Sequence, residues 1–242
     1  MDREQYRIMY EVERTHWWYR GMRRNALALI AEYLAPGRSY AILDAGCGTG
    51  GTTEELARFG TVTGIDFSAD ALAYARQRGL GGLLRGSIEQ LPFPDNSFDA
   101  LTCFDVLCHR AVRDEHVALA EFRRVLRPGG IVLIREPAFD WLRGAHDAGV
   151  HIERRLTVGQ LADRLRDAGF HLLTTTYANM FLFPIAVAKR RAERWLPSYP
   201  ADLAMPPKPI NRALEAVLRV EGMLARPAGL PLGLSAVAVG RA

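Results

Sequence analysis

Cysteine is scarce in this 242-residue chain: Cys47, Cys103 and Cys108 are all there is. Their spacing matches neither a metal-binding cluster nor a disulfide framework. Lysine is scarcer still, at Lys189 and Lys208 alone, so most of the positive charge is scattered arginine. A net charge of +4 and a pI of about 9.1 would suit an anionic partner, but no run of like charge and no Lys/Arg stripe is present. That excludes a basic nucleic-acid-binding tail and speaks against nucleic acid as a partner. Long apolar runs are missing too. "MFLFPIAVA" at 180–188 comes nearest and falls well short of the roughly 20 residues that span a bilayer. The opening "MDREQYRIMY" lacks the apolar centre of a signal peptide, so a cytoplasmic, reducing setting without stable membrane insertion is expected. What is present is ordinary globular material, 49% hydrophobic and 24% charged, enough for a sizeable core.

Local patterns alternate between strand and helix. Residues 4–35 read as helical, interrupted by "THWWYRGMRR" at 15–24 and stopped by Pro36-Gly37. "YAILDA" is a short apolar run and reads as a buried strand; "TTEELARFG" is a helix closed by Gly60. "TVTGID" is a second strand, and Ser68 caps the helix "ADALAYARQRG". "GLLRG", "FDALTCFDVL" and "GIVLIREP" are further strands, the last two separated by an amphipathic helix with "RPGG" as its stop. "TVGQLADRLRDAGF", "FHLLTTTYA" and "LSAVAVGRA" add a capped helix and two strands. Residues 182–226 are Pro-interrupted, with Ala213, Leu214, Val217, Leu218 and Leu224 spaced for one helical face. Alternation of this kind predicts a parallel sheet covered by helices.

The stretch "YAILDAGCGTGG" asks which ligand its glycines approach. Gly46, Gly48 and Gly51 satisfy G-x-G-x-x-G, and Asp66 lies where a ribose-binding acid belongs, so the crude pattern permits a dinucleotide. Asp44 argues against one. It stands just before the turn, where its charge would oppose a pyrophosphate on the following helix N-terminus. A sulfonium and an ammonium group, as in S-adenosylmethionine, are favoured by an acid there. A structural turn with no ligand stays as the bland alternative, against the cost of four glycines in six residues.

"ILDAGCGTG", "GIDFS", "GSIEQLPFPDNSFDAL", "FDVLCH" and "EFRRVLRPGG" follow one another in the order and spacing of class I S-adenosylmethionine-dependent methyltransferases. They look most like the small-molecule group often called type 11, over residues 15–178. The resemblance implies one α/β, Rossmann-like domain with a seven-stranded, mostly parallel sheet whose last strand is antiparallel. Residues 1–35 would form an N-terminal helical cap, 36–178 the cofactor-binding core, 179–228 a helical insertion acting as a substrate lid, and 229–242 the last strand. It implies S-adenosylmethionine as cofactor and S-adenosylhomocysteine as product. Gly46, Cys47 and Gly48 would meet the methionine part through their backbone, with Asp44 beneath. Asp66 would bind the ribose diol, Phe67 would pack on the adenine, and Ser87 and Ile88 would lie at its other edge. Phe104 would place a carbonyl near the cofactor ammonium. Ser87 departs from the family, which commonly has an acid there; Glu89 is the nearest substitute. Trp18 and Tyr19, beside Trp17 and Arg20, would form an aromatic lid or else pack the helix on the sheet, and Arg24 would reach the cofactor carboxylate.

Methyl transfer needs alignment and exclusion of water more than it needs acid–base chemistry. A hydroxyl acceptor benefits from a base, and His109, His146 and His151 are the candidates on the substrate side. The competing readings are a His109 that organises its loop or touches the cofactor, and a 145–155 loop ordered by His151 and Arg155. An Asp147-assisted base is a further reading, while no metal is expected. The insertion, with Phe181, Phe183, Trp195, Leu196, Pro197 and Met205, would wall a partly apolar small-molecule acceptor or form a homodimer contact. O-methylation leads N- and C-methylation because histidines cluster on that side. The rival is a cyclase, isomerase or cofactor-binding protein on the same fold. An RNA or protein methyltransferase is disfavoured by the lack of a basic stripe and of an Asn-Pro-Pro-Tyr-type clamp.

Overall fold

The structure, a computed structural model, describes residues 1, 3–193 and 205–242, with side chains at all of these but 145, 146, 193 and 226–228. Two helices come first, α1 (Arg3–Val12) and α2 (Trp17–Ala31). Strands β1 (Tyr40–Ala45), β2 (Gly60–Asp66), β3 (Leu83–Arg85), β4 (Phe98–Phe104) and β5 (Leu126–Pro137) follow. They alternate with α3 (Gly51–Leu56), α4 (Ala69–Gln77) and α5 (Glu115–Val125). After β5 come α6 (Ala145–Gly149), α7 (Val158–Asp167), β6 (His171–Ala178), α8 (Phe183–Glu193), α9 (Lys208–Ala228) and β7 (Ser235–Arg241). The seven strands form one sheet in the order β3-β2-β1-β4-β5-β7-β6. Only β7 runs antiparallel, against both β5 and β6, as expected from the sequence.

Period-two alternation along the strands feeds two cores, one on each face. Leu43, Val132, Ile134 and Ala238 face the side covered by α5 and α7, where Leu119, Phe122, Leu161 and Leu165 are fully buried. Ile42, Ile131, Leu133 and Val239 face the other side, against Leu27 and Ile30 of α2 and Leu218 of α9. Each such side chain contributes about 1.5–3 kcal/mol by leaving water. The β-strand runs read as buried on both faces are therefore buried on both faces.

The ends of elements follow local chemistry. The Ser68 hydroxyl accepts from the Ala71 N–H, and Thr157 forms a reciprocal capping box with Gln160 ahead of α7. Four boundaries differ from the sequence reading. The "WWYRGMRR" cluster opens α2 instead of interrupting it; the break lies at residues 13–16, and His16 caps α2 by accepting from Trp18 N–H at 3.3 Å. "RPGG" enters β5 instead of stopping α5, because β5 begins at Leu126 beside a register shift in β4. Strand β4 ends at Phe104, three residues early, since Asp105 turns the chain with φ of 59°. On α9, Ala213 and Leu224 are exposed; Leu214, Val217, Leu218 and Glu221 form the inner face instead. That face docks on α2 so closely that a Cβ at Gly21 would lie 2.5 Å from the Leu218 side chain. Trp195, Leu196 and Pro197 lie outside the described residues. Among the described residues, no helix is long and apolar enough to cross a membrane.

Candidate active site

A cavity of about 1320 Å³ opens over the carboxyl ends of β1, β2, β4 and β5, roofed by α1, the start of α2 and α8. In open α/β sheets ligands bind at this edge. Its size exceeds the roughly 300–1000 Å³ of a pocket for one drug-sized molecule, leaving room for two ligands side by side.

One half is built on the glycine turn. Gly46 and Gly48 have φ of 79° and 55°, values that a side chain opposes. Gly46 N–H and Cys47 N–H both donate to the Ile65 carbonyl, at 2.8 and 3.0 Å. A Cβ on Gly46 would lie 2.2 Å from Val106 Cγ2, so the turn sits directly against the loop after β4. Gly46→Ala is expected to cost about 1–3 kcal/mol from strain and overpacking, read as a lower denaturant midpoint. An unchanged midpoint would show that Val106 yields freely.

Asp66, at the end of β2, accepts from Gly48 N–H at 2.9 Å and Ser68 N–H at 2.8 Å. Burial pushes its carboxyl up, against these two donors, and its oxygens keep acceptor capacity beyond these two bonds. Asp44 is buried deeper, accepting from the Thr53 and Thr102 hydroxyls at 2.6 and 2.8 Å. Burial raises its pKa to about 6. Phe67 lines the cavity while 64% exposed, an unusual place for a large apolar ring with no ligand-facing role. Ser87 and Ile88 lie beside it. Glu89 turns away to accept from Asp114 N–H at 2.9 Å, so it does not replace the missing acid at Ser87.

The aromatic cluster at the start of α2 reaches the cavity through Trp17, Trp18 and Tyr19. Trp18 and Phe104 flank the Arg135 guanidinium at 5.3 and 5.0 Å, and Arg135 is ion-paired with Asp105. Arg24 is a correction: it faces α9, where it pairs with Glu215, and it does not line the cavity. Helical phase decides this, because the neighbouring Arg23 takes the inward direction and bonds Glu55 at 2.6 Å. Tyr6 and Met9 of α1 and Glu13 just after it also line the site, with no signal in the sequence beyond a helical pattern.

At the other end the loops after β4 and β5 are zipped by a bridge between His109 and Ile152, and Arg110 N–H donates to the His151 carbonyl at 3.0 Å. This brings the His109 and His151 rings to 5.7 Å, with the Met1 amine 3.2 and 3.0 Å from the two side chains. Burial first, then the Met1 amine, His151 and Arg110, pushes His109 down to about 4. It is therefore neutral at pH 7 and a weak base. His146 lies in α6, and its side chain is outside those described. Asp147 clasps Arg155 at 3.0 and 2.6 Å. Leu182, Ile185 and Ala186 of α8 supply an apolar wall. Asn179 also lines the cavity, and its buried Oδ1 has no hydrogen-bond partner among the described residues. Such an atom is costly unless a ligand or water meets it.

The methyltransferase-domain family matches residues 43–134. A malonyl-[acyl-carrier protein] O-methyltransferase of Yersinia pestis is 35% identical over 158 residues, covering 62% of this chain and 58% of that protein. The chain spans about half the length of the curated relatives it matches. An S-adenosylmethionine-dependent methyltransferase of Thermotoga maritima shares the fold with a TM-score of 0.64 at 21% identity, over 98% of this chain and 95% of that one. The [4+2]-cyclase SpnF aligns with a TM-score of 0.56 at 26% identity, over 90% and 80%. The matched domain, the relatives and the sheet order are those of class I S-adenosylmethionine-dependent methyltransferases.

Proposed function

We propose that the protein transfers a methyl group from S-adenosylmethionine to a small, partly apolar acceptor in the cytoplasm, with O-methylation ahead of N- or C-methylation. The observation that carries this reading is the glycine-turn half of the cavity. It combines carboxylates at Asp44 and Asp66, an exposed ring at Phe67 and a backbone stripped of Cβ atoms. The buried Asp44 carboxylate at the end of β1 would oppose a pyrophosphate at the N-terminus of α3. Asp66 suits adjacent ribose hydroxyls, Phe67 an adenine face, and the acids a cationic methionine end. Bound there, the cofactor would supply an electrophilic methyl on a good leaving group. The chain then has to align the acceptor and keep water out, tasks suited to the roof of Tyr6, Met9, Trp18 and Tyr19.

His109 and His151 stand on the acceptor side, while His146 is assigned there by sequence alone. With its pKa near 4, His109 is better suited to orienting the acceptor than to taking its proton. His109→Ala is expected to lower turnover while leaving cofactor affinity within about twofold. An equal loss in both would make it a cofactor-binding residue.

Calorimetric titration with S-adenosylmethionine, S-adenosylhomocysteine and NADH tests the reading. Micromolar binding of the first two without the third supports it, and binding of NADH alone overturns it. A second reading, a cyclase that uses the fold as a shaped template, is favoured by the likeness to SpnF. Release of S-adenosylhomocysteine with any acceptor separates the two.

A further inference from the structure

The carboxylates lining the cavity come from few elements, and Arg23, Arg85 and Arg135 line it among them. Its five carboxylates, Glu13, Asp44, Asp66, Asp70 and Asp105, come from α1, β1, the β2–α4 junction and the end of β4. Beyond Asp105 no carboxylate lines the cavity among the described residues, while Arg110 and Arg113 of the loop after β4, Arg155 of the segment after β5, and Lys189 and Arg190 of α8 do. Arg155 is engaged by Asp147 behind the wall. Arg110 and Arg113 are exposed, and among the described residues neither makes an ion pair with an acid. Between these cations lie Leu142, Ile152, Leu182 and Ile185, so this part of the cavity is also apolar. The buried Asn179 Oδ1, without a hydrogen-bond partner among the described residues, lines the same cavity.

We propose that the acceptor is an amphiphilic organic anion, with its carboxylate or phosphate held by Arg110 and Arg113 and its apolar body along the α8 wall. This rests on the methyl-transfer reading and names the substrate class for that site. Arginine suits the task because its planar fork pairs in bidentate fashion with either oxyanion. Where the methylated atom is a carboxylate oxygen, the step balances without a base. The oxygen lone pair forms the new O–CH3 bond, the C–S bond breaks with its electron pair going to sulfur, and the anion and sulfonium become a neutral ester and a thioether. No proton is released, which removes the need for a basic histidine.

The test is titration of the protein, alone and with S-adenosylhomocysteine, using decanoate, decyl phosphate, decan-1-ol and decylamine. At least one of the two anions is expected to bind about tenfold or more tightly than the alcohol and the amine. Which anion binds tells a carboxylate acceptor from a phosphate one. Raising salt from about 0.05 to about 0.5 M should weaken anion binding, as screening does for a partly exposed pair. In the double variant Arg110→Gln/Arg113→Gln the anion preference should disappear, with affinity for S-adenosylhomocysteine and decan-1-ol unchanged. Equal binding of alcohol and anions, preference for the amine, or an unaltered preference in the double variant overturns the proposal. Binding of S-adenosylhomocysteine without anion discrimination sinks the anion site alone. Anion discrimination without that nucleoside's binding keeps the site and sinks methyl transfer.

Discussion

Glu13→Ala is expected to destabilise the protein by about 3–5 kcal/mol, the loss typical of removing one partner from a buried ion pair. Glu13 sits at the end of α1, 3% exposed. Its carboxylate accepts from the Thr49 hydroxyl in the glycine turn and from Arg78 at the end of α4, with Arg23 of α2 at 4.0 Å. Arg78 is itself buried. It donates to the Thr49 carbonyl at 2.7 Å and lies 4.5 Å over the Tyr10 ring. Burial pushes the Glu13 carboxyl up, so the ionised form is held only by these surrounding donors and cations. Deleting it leaves two guanidinium groups in the interior without that compensation. That is a large share of a typical total of about 5–15 kcal/mol. Urea denaturation of the variant, beside Glu13→Gln to separate charge from shape, measures the effect. A loss below about 1 kcal/mol would mean that water replaces the carboxylate, and that α1 is held by its other contacts. Because Tyr6 and Met9 of α1 roof the cavity, the same variant should also bind cofactor less tightly.

Asp66→Ala is expected to weaken S-adenosylmethionine binding by tenfold or more, about 1.4 kcal/mol or above. Two effects add. The carboxylate is lost as acceptor for the ribose hydroxyls, and the N–H groups of Gly48 and Ser68 lose the oxygen atoms that orient them. Asp66→Asn separates the effects, since its amide keeps one acceptor and the approximate shape. Calorimetry with S-adenosylhomocysteine, with thermal unfolding followed in parallel, distinguishes a binding loss from a folding loss. An unchanged affinity in a folded Asp66→Ala protein would remove the ribose assignment, and with it much of the support for the glycine-turn reading.

Much of the fold was legible because its signals act over short distances. A buried strand reads as an apolar run, a capped helix as Ser68 or Thr157 ahead of it, and a left-handed turn as glycine at 46 and 48. The glycine-turn end of the cavity was legible for the same reason. Asp44, Gly46, Cys47, Gly48, Asp66 and Phe67 all lie at strand ends or in the turns that follow them, and the parallel sheet carries them to one edge together.

The acceptor end was legible only in part. His109 and His151 were picked out singly, but their approach depends on a bridge between two loops more than forty residues apart. Arg24 was expected to reach the cofactor carboxylate; the start of α2 at Trp17 sets a helical phase that turns Arg23 in and Arg24 toward α9. The inner face of α9 could not be read from apolar spacing, because α2 accepts Leu218 against Gly21 and Asn25 against Gly222, a fit of shape between helices remote in sequence. By itself the sequence determined the alternating sheet, the caps and the glycine turn with its acids, since each depends on neighbours within a few residues. Tertiary structure alone decided the burial of Glu13 between two arginines, the pairing of Asp147 with Arg155 and the restriction of the lining carboxylates to a few elements. Those depend on which distant surfaces pack together, and packing is settled by the shape and burial of the whole chain.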